Sequence, residues 1–266
     1  MFRYPGGKSR LYKYIEPYLF DRYDGRLIVP FVGAGHVTCR FIKKRSPSFL
    51  WLNDLDVGIT SFWKAVQFYP LKLLSKLKKY QPNVKDFYLY KDILDNLNRV
   101  PSGVEDITDI AMIKLVIHQI SYSGLGCMAG GPIGGQSQSS NYGVGCRWNF
   151  ESIARKIGEI NNCFKNSEVK ITSWDFSEVL SDDRSQGTLY LDPPYFEQGE
   201  NLYTHSFTKN DHWRLSELLY NRDNWVLSYD DNSFIRQLYS FASINSLETT
   251  YTIKQARKRK ELLIVN

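Results

Sequence analysis

The most chemically specific segment of the sequence is Asp192-Pro193-Pro194-Tyr195, which directly follows the short apolar run Thr188-Leu189-Tyr190-Leu191. Two consecutive prolines fix two φ angles and remove two N–H donors, so the loop is rigid and its carbonyl groups have no competing amides beside them. The Asp192 carboxylate and a loop carbonyl are adjacent acceptors, and they suit a planar exocyclic amine, which presents two N–H donors. The Tyr195 ring adds a face on which a nucleobase can stack.

A glycine-containing turn occurs earlier, at Phe31-Val32-Gly33-Ala34-Gly35-His36-Val37, after the apolar run Leu27-Ile28-Val29. Glycine lets the backbone approach a ligand closely, and open α/β sheets bind ligands at the carboxyl ends of their strands. The dinucleotide-binding fingerprint is incomplete, because Thr38 stands where its third glycine belongs. The predicted occupant is a nucleotide-type cofactor, and the alternative is a tight strand-to-helix turn without a ligand.

Asp54 follows a second apolar run, Phe49-Leu50-Trp51-Leu52. It lies about twenty residues beyond the glycine turn, which is the usual spacing between such a turn and a ribose-binding acid. The alternative role for Asp54 is a cap for the helix predicted from Val57. The chain has no Gly-x-x-x-x-Gly-Lys-Ser/Thr phosphate loop. The cofactor is therefore predicted to contain a nucleoside and need not contain a pyrophosphate.

Downstream of the glycine turn and Asp54, the loop at 192–195 is better explained as a methyl-transfer site than as a purely structural turn. The amine of a nucleobase is a poor nucleophile, since its lone pair is delocalised into the ring. Fixed acceptors on both N–H bonds favour a pyramidal nitrogen and stabilise the positive charge that develops as it attacks a methyl sulfonium. Asp192 is assigned to orientation and charge stabilisation first, and to proton acceptance second.

The elements that position these residues alternate between short apolar strands and helices, which predicts an α/β fold with a parallel sheet. A helix is predicted after the glycine turn through Arg45, and another from Val57 to about Phe68. Thr208 and Asp211 are spaced like a capping box that opens a helix through Tyr220. Further strands are predicted at 169–172, 188–191, 225–228 and 261–265.

The stretch from 70 to 164 has a different character, with helical periodicity around 71–77 and 107–117. Residues 121–149 are rich in Gly, Ser and Gln but also include bulky side chains such as Tyr122, Arg147 and Trp148. An irregular hairpin or loop that contacts a partner is predicted here in preference to a flexible linker. Arg147 is the best candidate for a base or phosphate contact, because arginine forms bidentate bonds to guanine; a structural salt bridge is the alternative.

Bulk composition agrees with a nucleic-acid partner without proving one. The net charge is +6, from 34 basic and 28 acidic residues, and phosphate contacts favour Lys and Arg. The basic run from Lys254 to Lys260 also favours a nucleic-acid partner, although it is equally well explained as a solvated loop between two late strands. The four cysteines are scattered, which predicts neither a disulfide framework nor a zinc site, and no metal site is predicted.

No apolar run is long enough to span a bilayer, and the N-terminus lacks the apolar segment of a secretion signal. A cytoplasmic location is therefore expected.

In order along the chain, these motifs resemble the Dam-type, α-group (D12 class) family of adenine-N6 DNA methyltransferases. The similar segments are Tyr4-Pro5-Gly6-Gly7-Lys8, the turn from Pro30 to Val37, Asn53-Asp54, the 192–195 loop, Ser206-Phe207-Thr208, Leu227-Ser228 and Glu261-Leu262-Leu263. The resemblance implies a Rossmann-like methyltransferase fold with a mixed seven-stranded sheet and a mainly helical DNA-recognition insertion. It implies a catalytic domain at 1–69 and 165–266, and a recognition domain at 70–164.

The resemblance also implies the cofactor, S-adenosylmethionine, and a target adenine that is flipped out of duplex DNA. It implies catalytic residues Asp192, Pro193, Pro194 and Tyr195. The expected cofactor-binding residues are Tyr4, Gly7, Lys8, Phe31, Gly33, Ala34, Gly35, His36, Val37, Asp54, Asp175, Phe176 and Asp192. The expected DNA contacts are Lys8, Tyr122, Arg147, Ser206 and Lys258.

The segment from Ser121 to Trp148 departs from the family pattern, because it is longer, Gly-rich and lacks the expected polar signature, so no recognition sequence is carried over. An RNA adenine methyltransferase is the first alternative, and Asp192 argues against it because rRNA enzymes usually have Asn at that position. A catalytically inactive nucleic-acid-binding protein and a nicotinamide-dependent dehydrogenase are the others. A bacterial or phage enzyme is expected, with a possible cognate restriction endonuclease that acts on the same site without a stable complex.

Overall fold

The computed structural model of the chain describes residues 2–4, 7–197, 205–252 and 256–266. Its strands are β1 (Arg26–Val29), β2 (Phe49–Asn53), β3 (Glu168–Thr172), β4 (Thr188–Leu191), β5 (Trp225–Asp230), β6 (Ser243–Thr252) and β7 (Ala256–Val265). The α-helices within this part of the chain are α1 (Tyr12–Asp21), α2 (His36–Lys44), α3 (Val57–Phe68), α4 (Pro70–Lys79), α5 (Val84–Asp95), α6 (Val104–Ile120), α7 (Phe150–Phe164), α8 (Phe176–Ser181), α9 (Lys209–Tyr220) and α10 (Ser233–Leu238).

The seven strands form one sheet in the order β3-β2-β1-β4-β5-β7-β6. The first five strands of that order are parallel, whereas β7 runs antiparallel to both β5 and β6. The predicted mixed seven-stranded α/β fold is thus confirmed. In such a sheet the carboxyl ends of all the parallel strands meet at one edge, and the loops that follow them come together there.

Successive residues of each central strand face opposite sides of the sheet, and both sides are covered. Leu27 and Val29 of β1 belong to the hydrophobic cluster on one side, and Ile28 belongs to the cluster on the other. Helices α3, α6 and α7 contribute to the first cluster, and α8, α9 and α10 to the second. Because both faces are buried, these strands are continuous apolar runs rather than alternating ones.

The stretch from 70 to 164 contains α4, α5, α6, α7 and the irregular segment between α6 and α7. That segment has an isolated β-bridge between Ser121 and Pro132 and otherwise only short turns. The apolar side chains of α6 lie in the same cluster as those of β1 and β2. The insertion therefore shares one hydrophobic core with the sheet, and its helices α6 and α7 pack against α3, while its role in recognition stays a prediction.

The interpretation of the basic run Lys254–Lys260 as a loop, which the sequence left open as an alternative, is wrong for its last four residues. Arg257, Lys258, Arg259 and Lys260 belong to β7, and Lys254 lies outside the described residues. Strand β6, which had no prediction, pairs with β7 along its full length, from Ser243–Val265 to Thr252–Ala256. Only the Glu261–Val265 half of β7 also pairs with β5. Backbone pairing within this two-stranded ribbon does not require apolar side chains, so periodicity did not reveal it.

Within the described ranges, the helices include none with the combined length and apolar content needed to cross a bilayer.

A largely buried ion pair joins the insertion to α3, the helix that follows β2. Asp56 caps α3, accepting hydrogen bonds from Gly58 N at 2.8 Å and Ile59 N at 3.1 Å. Its second oxygen accepts a hydrogen bond from Lys114 Nζ of α6 at 2.5 Å, and Lys114 is 4% exposed. Burial alone would raise the pKa of Asp56, but the Lys114 ammonium and the amide donors hold it below its ordinary value.

We expect Lys114→Met to destabilise the protein by about 3 kcal/mol, because it leaves a buried carboxylate without its partner. Adding Asp56→Asn removes that charge and retains a side chain that caps helices equally well. The double variant should therefore recover much of the loss, as measured from urea unfolding midpoints. Equal losses in the single and double variants would contradict this account.

Candidate active site

A single cavity lies at the carboxyl edge of the sheet, where β1 has β2 on one side and β4 on the other. From β1 the chain continues to β2 on one side, and the later strand β4 adds on the other side, so the strand order reverses here. Open α/β sheets bind ligands at such a point. Every residue predicted to bind the cofactor lines this cavity: Tyr4, Gly7, Lys8, Phe31, Gly33, Ala34, Gly35, His36, Val37, Asp54, Asp175, Phe176 and Asp192.

The glycine turn gives the cavity a floor of bare backbone. Gly33 and Gly35 have φ values of +48° and +64°, a region that favours glycine. A Cβ atom on Gly35 would lie 2.6 Å from the Trp63 side chain, and one on Gly33 would lie 3.1 Å from Tyr4. Trp63 is itself held in place, since its indole N–H donates to the Gly33 carbonyl at 2.9 Å. Both positions therefore favour glycine, Gly33 through its positive φ and Gly35 through its positive φ together with the contact with Trp63.

Asp54 lies across from this turn and supports it. Its Oδ2 accepts a hydrogen bond from Gly33 N at 2.8 Å, and its Oδ1 accepts one from Asp56 N at 3.0 Å. The helix-capping role considered for Asp54 belongs instead to Asp56. Burial, reinforced by the nearby Asp56 charge, raises the pKa of Asp54 to about 7. Each carboxylate oxygen still has a lone pair for a ligand hydroxyl.

Asn53, whose function the sequence did not indicate, ties three strand ends together. Its Nδ2 donates to the carbonyls of Pro30 and Trp174 at 3.0 Å each. Its Oδ1 accepts hydrogen bonds from Trp174 N at 2.9 Å and from Thr172 Oγ1 at 2.7 Å. The side chain is 1% exposed, so all of its hydrogen-bonding capacity holds the ends of β1, β2 and β3 in register.

An aromatic wall closes one side of the cavity. The rings of Phe31, Phe176 and Phe207 lie 5.1–5.8 Å apart, centroid to centroid. Asp175 holds this wall in position by capping α8, since its Oδ1 accepts from Ser177 N at 2.9 Å and from Arg214 Nη2 at 2.9 Å. Phe207 was not among the predicted site residues, although it lies within the Ser-Phe-Thr segment that precedes α9.

Asp192 leaves the end of β4 and enters a buried charge cluster. Lys8 is 1% exposed, and its Nζ lies 3.2 Å from Asp192 Oδ1 and 3.8 Å from Glu261 Oε2. Ser228 Oγ, at the facing position of β5, also donates to Asp192 Oδ1, at 3.1 Å. Burial raises the pKa of Asp192, and the Glu261 charge adds to the rise, while Lys8 and Ser228 oppose it.

The pattern of these contacts leaves a specific atom for chemistry. Both contacts that the described residues make to the Asp192 carboxylate use Oδ1. The carboxylate is thus fixed by one oxygen, and Oδ2 is available as an acceptor in the cavity. The Asp192 side chain is 22% exposed, and a partly buried, fixed acceptor of this kind is suited to stabilising a positive charge that develops on a bound amine.

A comparison with protein families decides between a DNA methyltransferase and the alternatives considered from the sequence. Residues 4–253 match the model of the D12 class N6 adenine-specific DNA methyltransferases. The chain belongs to this family. It is therefore an adenine-specific DNA methyltransferase, and enzymes of this family take the methyl group from S-adenosylmethionine. The predicted family, enzyme class and cofactor are confirmed.

In this methyltransferase the 192–195 loop is arranged differently from the simple stacking platform predicted. Asp192 and Pro194 line the cavity, whereas Pro193 and Tyr195 do not. One face of the Tyr195 ring is covered by the Lys8 ammonium, 4.3 Å from the ring centroid. The Tyr195 hydroxyl donates to Glu261 Oε2 at 2.9 Å. Tyr195 thus contacts Lys8 through its ring, while its hydroxyl bonds Glu261, the second acid beside Lys8.

The predicted DNA contacts lie in different places. Lys8 is buried beside Asp192, so only a base that enters the cavity can approach it. Ser206 is exposed at the cavity lining, while Tyr122 and Arg147 are exposed in the insertion segment. Lys258 pairs through its backbone with Thr250 in the β6–β7 ribbon. The structure does not bring these five residues together in one site.

Two of the residues that complete the charge cluster had weak signals in the sequence. Glu261 is a lone acid at the start of the apolar run of β7, and Ser228 ends the apolar run of β5. A polar residue within or beside a fully buried strand requires a partner. That rule would have singled out both residues, but it would not have identified Lys8 as the partner.

We expect Gly35→Ala to destabilise the enzyme by about 2 kcal/mol, because it combines a left-handed φ with a clash against Trp63. The matched control is Gly158→Ala, within α7, where an added Cβ meets no atom within 4 Å. That change should stabilise the protein by about 0.5–1 kcal/mol, as alanine does in helices. Thermal unfolding distinguishes the two, and a neutral Gly35→Ala would disprove the close approach.

Proposed function

We propose that the enzyme transfers a methyl group from S-adenosylmethionine, bound in the cavity at the carboxyl edge, to N6 of a flipped adenine at specific sites in duplex DNA. The observation that carries this proposal is the Asp192 carboxylate, fixed through Oδ1 in the same cavity as the glycine turn and Asp54. The stretch 70–164, with its irregular segment at 121–149, is proposed to select the target sequence.

The lining of the cavity matches the parts of S-adenosylmethionine. The bare backbone at Gly33 and Gly35 allows a ligand to approach closely, and the Asp54 carboxylate can accept hydrogen bonds from ribose hydroxyls. The wall of Phe31, Phe176 and Phe207 provides an apolar surface for the adenine of the cofactor. When bound there, S-adenosylmethionine supplies an electrophilic methyl group on a sulfonium.

The reaction then rests on how the chain holds the target amine. Asp192 Oδ2 accepts one N–H of the adenine amine, and a carbonyl of the Pro193-Pro194 loop accepts the other. These acceptors orient the nitrogen lone pair for in-line attack and stabilise the positive charge that develops on it. Lys8 and Ser228 keep the carboxylate in place, and Asp192 or solvent accepts the proton after transfer. The target base must leave the helix, because N6 is otherwise engaged in base pairing.

The overall activity is tested by methylation-sensitive sequencing of DNA from cells that express the chain, which reports base, atom and sequence context together. In vitro, purified enzyme should incorporate labelled methyl groups into duplex DNA and not into rRNA. Transfer to rRNA alone would overturn the proposal. A cognate restriction endonuclease and a bacterial or phage cytoplasmic setting stay predictions.

Replacing Asp192 by Asn retains the size of the side chain and removes its charge. We expect methyl transfer to fall by about 100- to 1,000-fold, the usual effect of removing a fixed electrostatic acceptor or donor from a transition state. Duplex binding should change little, since the flipped base is the only part of the DNA that the carboxylate is proposed to contact. Asp183→Asn, at an exposed acid outside the cavity, is the matched control. Activity near that of the wild type in the Asp192 variant would refute the assigned role.

The raised pKa of Asp54 predicts a pH dependence of cofactor binding. Ribose hydroxyls bind the ionised carboxylate, so affinity should be full above the pKa of about 7 and should fall as the pH drops through it. Between pH 8 and pH 6 the ionised fraction of such a group falls about tenfold, and the dissociation constant should rise by that factor. The probe is 5′-methylthioadenosine, which contains the ribose and adenine but no titrating amino-acid part.

The Asp54→Asn variant is the control for this titration. It retains the neighbouring charged groups, Asp56, Lys114 and His205, so any pH dependence that survives in it belongs to them or to the ligand. We expect the variant to bind the probe weakly and with a flat profile from pH 6 to 8. A wild-type profile that is equally flat would show that Asp54 does not bind the ribose as its carboxylate.

A further inference from the structure

A second groove lies outside the cofactor cavity, between α2 and α7. Its basic side chains are Arg3, Arg40, Lys43, Arg147 and Lys156. Among the described residues that line it, none is acidic. The remaining polar lining includes Asn149, which caps α7, and Ser152 in the first turn of that helix.

Four of these five charges have no ion-pair partner within the described part of the chain. Lys43, near the C-terminal end of α2, is the exception, because it pairs with Glu159 of α7. Arg3 and Arg40 donate to backbone carbonyls, Arg3 to Ser121 O at 3.2 Å and Arg40 to Ser9 O at 2.8 Å. Such bonds orient a guanidinium without neutralising it.

The positive charges also act on each other. Burial lowers the pKa of Arg3, and the like charge of Arg147 lowers it further. Burial lowers the pKa of His36, which lines the same groove, to about 3, and Lys156 and Arg40 contribute to that shift. Like charges clustered in this way cost stability, and a bound anion offsets that cost.

The groove adjoins the active site through the N-terminal segment. Lys8 and Gly7 line the cofactor cavity, while Arg3 and Ser9 line the groove, and His36 lines both. Helix α2 begins directly after the glycine turn, so the groove starts at the same carboxyl edge of the sheet. Arg147 extends the groove into the insertion segment proposed to select the target. An extended polyanion that reaches the cavity can therefore continue into the groove.

We propose that this groove binds the phosphate backbone of duplex DNA that flanks the target adenine. The proposal rests on the proposed function and adds to it a second contact region, separate from the residues that hold the flipped base. Because phosphate contacts carry no base information, the groove contributes affinity and orientation rather than sequence choice.

The test is the salt dependence of duplex binding by the full-length chain, with Arg40→Gln/Lys156→Gln. Each phosphate contact contributes about 0.9 to the slope of log K against log salt concentration, so the double variant should lose about 1.8. Across a fourfold rise in salt, the wild type should therefore lose about tenfold more affinity than the double variant does. The probes are random-sequence duplexes of about 12 and about 30 base pairs, and the loss should appear mainly with the longer one, which alone reaches beyond the active site.

The matched control is Arg45→Gln/Lys165→Gln, which removes the same charges from the C-terminal caps of the same two helices. Neither residue lines the groove, and this variant should bind the long duplex like the wild type. Unfolding midpoints and 5′-methylthioadenosine affinity verify that both variants are folded. Equal affinities and slopes in the groove and control variants would overturn the proposal, as would a loss confined to single-stranded DNA or RNA probes.

The two proposals fail separately. If the wild-type enzyme methylates adenine in DNA while the groove variant binds both duplexes normally, only the groove assignment is wrong. If the wild type transfers methyl groups to rRNA alone, the proposed function is wrong regardless of how the groove variant binds duplex.

Discussion

A lysine ammonium that is 1% exposed cannot remain charged in a protein interior without partners, and this constraint organises the catalytic end of the molecule. Lys8 comes from the N-terminal segment, Asp192 from the end of β4 and Glu261 from β7. The Tyr195 ring and hydroxyl complete the shell. Because this cation joins its own N-terminal segment to groups at the end of β4 and in β7, the catalytic carboxylate is placed correctly only when the N-terminus, the parallel sheet and the antiparallel strand have all assembled.

On the cofactor side of the cavity, backbone N–H and C=O groups are the groups that need hydrogen-bond partners. Asp54 accepts the amide of Gly33, and Asn53 bonds the carbonyls that end β1 and β3. Two adjacent side chains at the end of β2 therefore fix the ends of three strands. Asp56, two residues later, links this edge to Lys114 in the insertion. The insertion is thus connected to the cofactor cavity by a continuous series of buried polar contacts.

What could be predicted from the sequence is what depends on local pattern. The apolar runs at β1, β2 and β4, the glycine turn and the Thr208–Asp211 capping box are all encoded within a few neighbouring residues, and the structure shows them there. The partners of Lys8 and Lys114 depend on strand order and helix packing, which involve residues more than fifty positions apart. No single-sequence periodicity contains that information. The mainly polar strand β6 was missed for a related reason, since its pairing with β7 defines it more than the few apolar side chains that it packs against the core.

The same reasoning explains why the contacts of Tyr195 could not be predicted from the sequence. The sequence places an aromatic ring beside a catalytic acid, and a stacking surface is the natural interpretation. In the folded protein the ring faces a buried ammonium, and cation–π attraction contributes up to about 2 kcal/mol where the cation is desolvated. A second aspect of Lys8 follows from its neighbours in the chain, because the residue after it accepts the Arg40 hydrogen bond at the basic groove. The adjacent residues Lys8 and Ser9 thus belong to two different surfaces, since Lys8 holds the catalytic carboxylate while Ser9 orients a guanidinium in the groove proposed to bind phosphates.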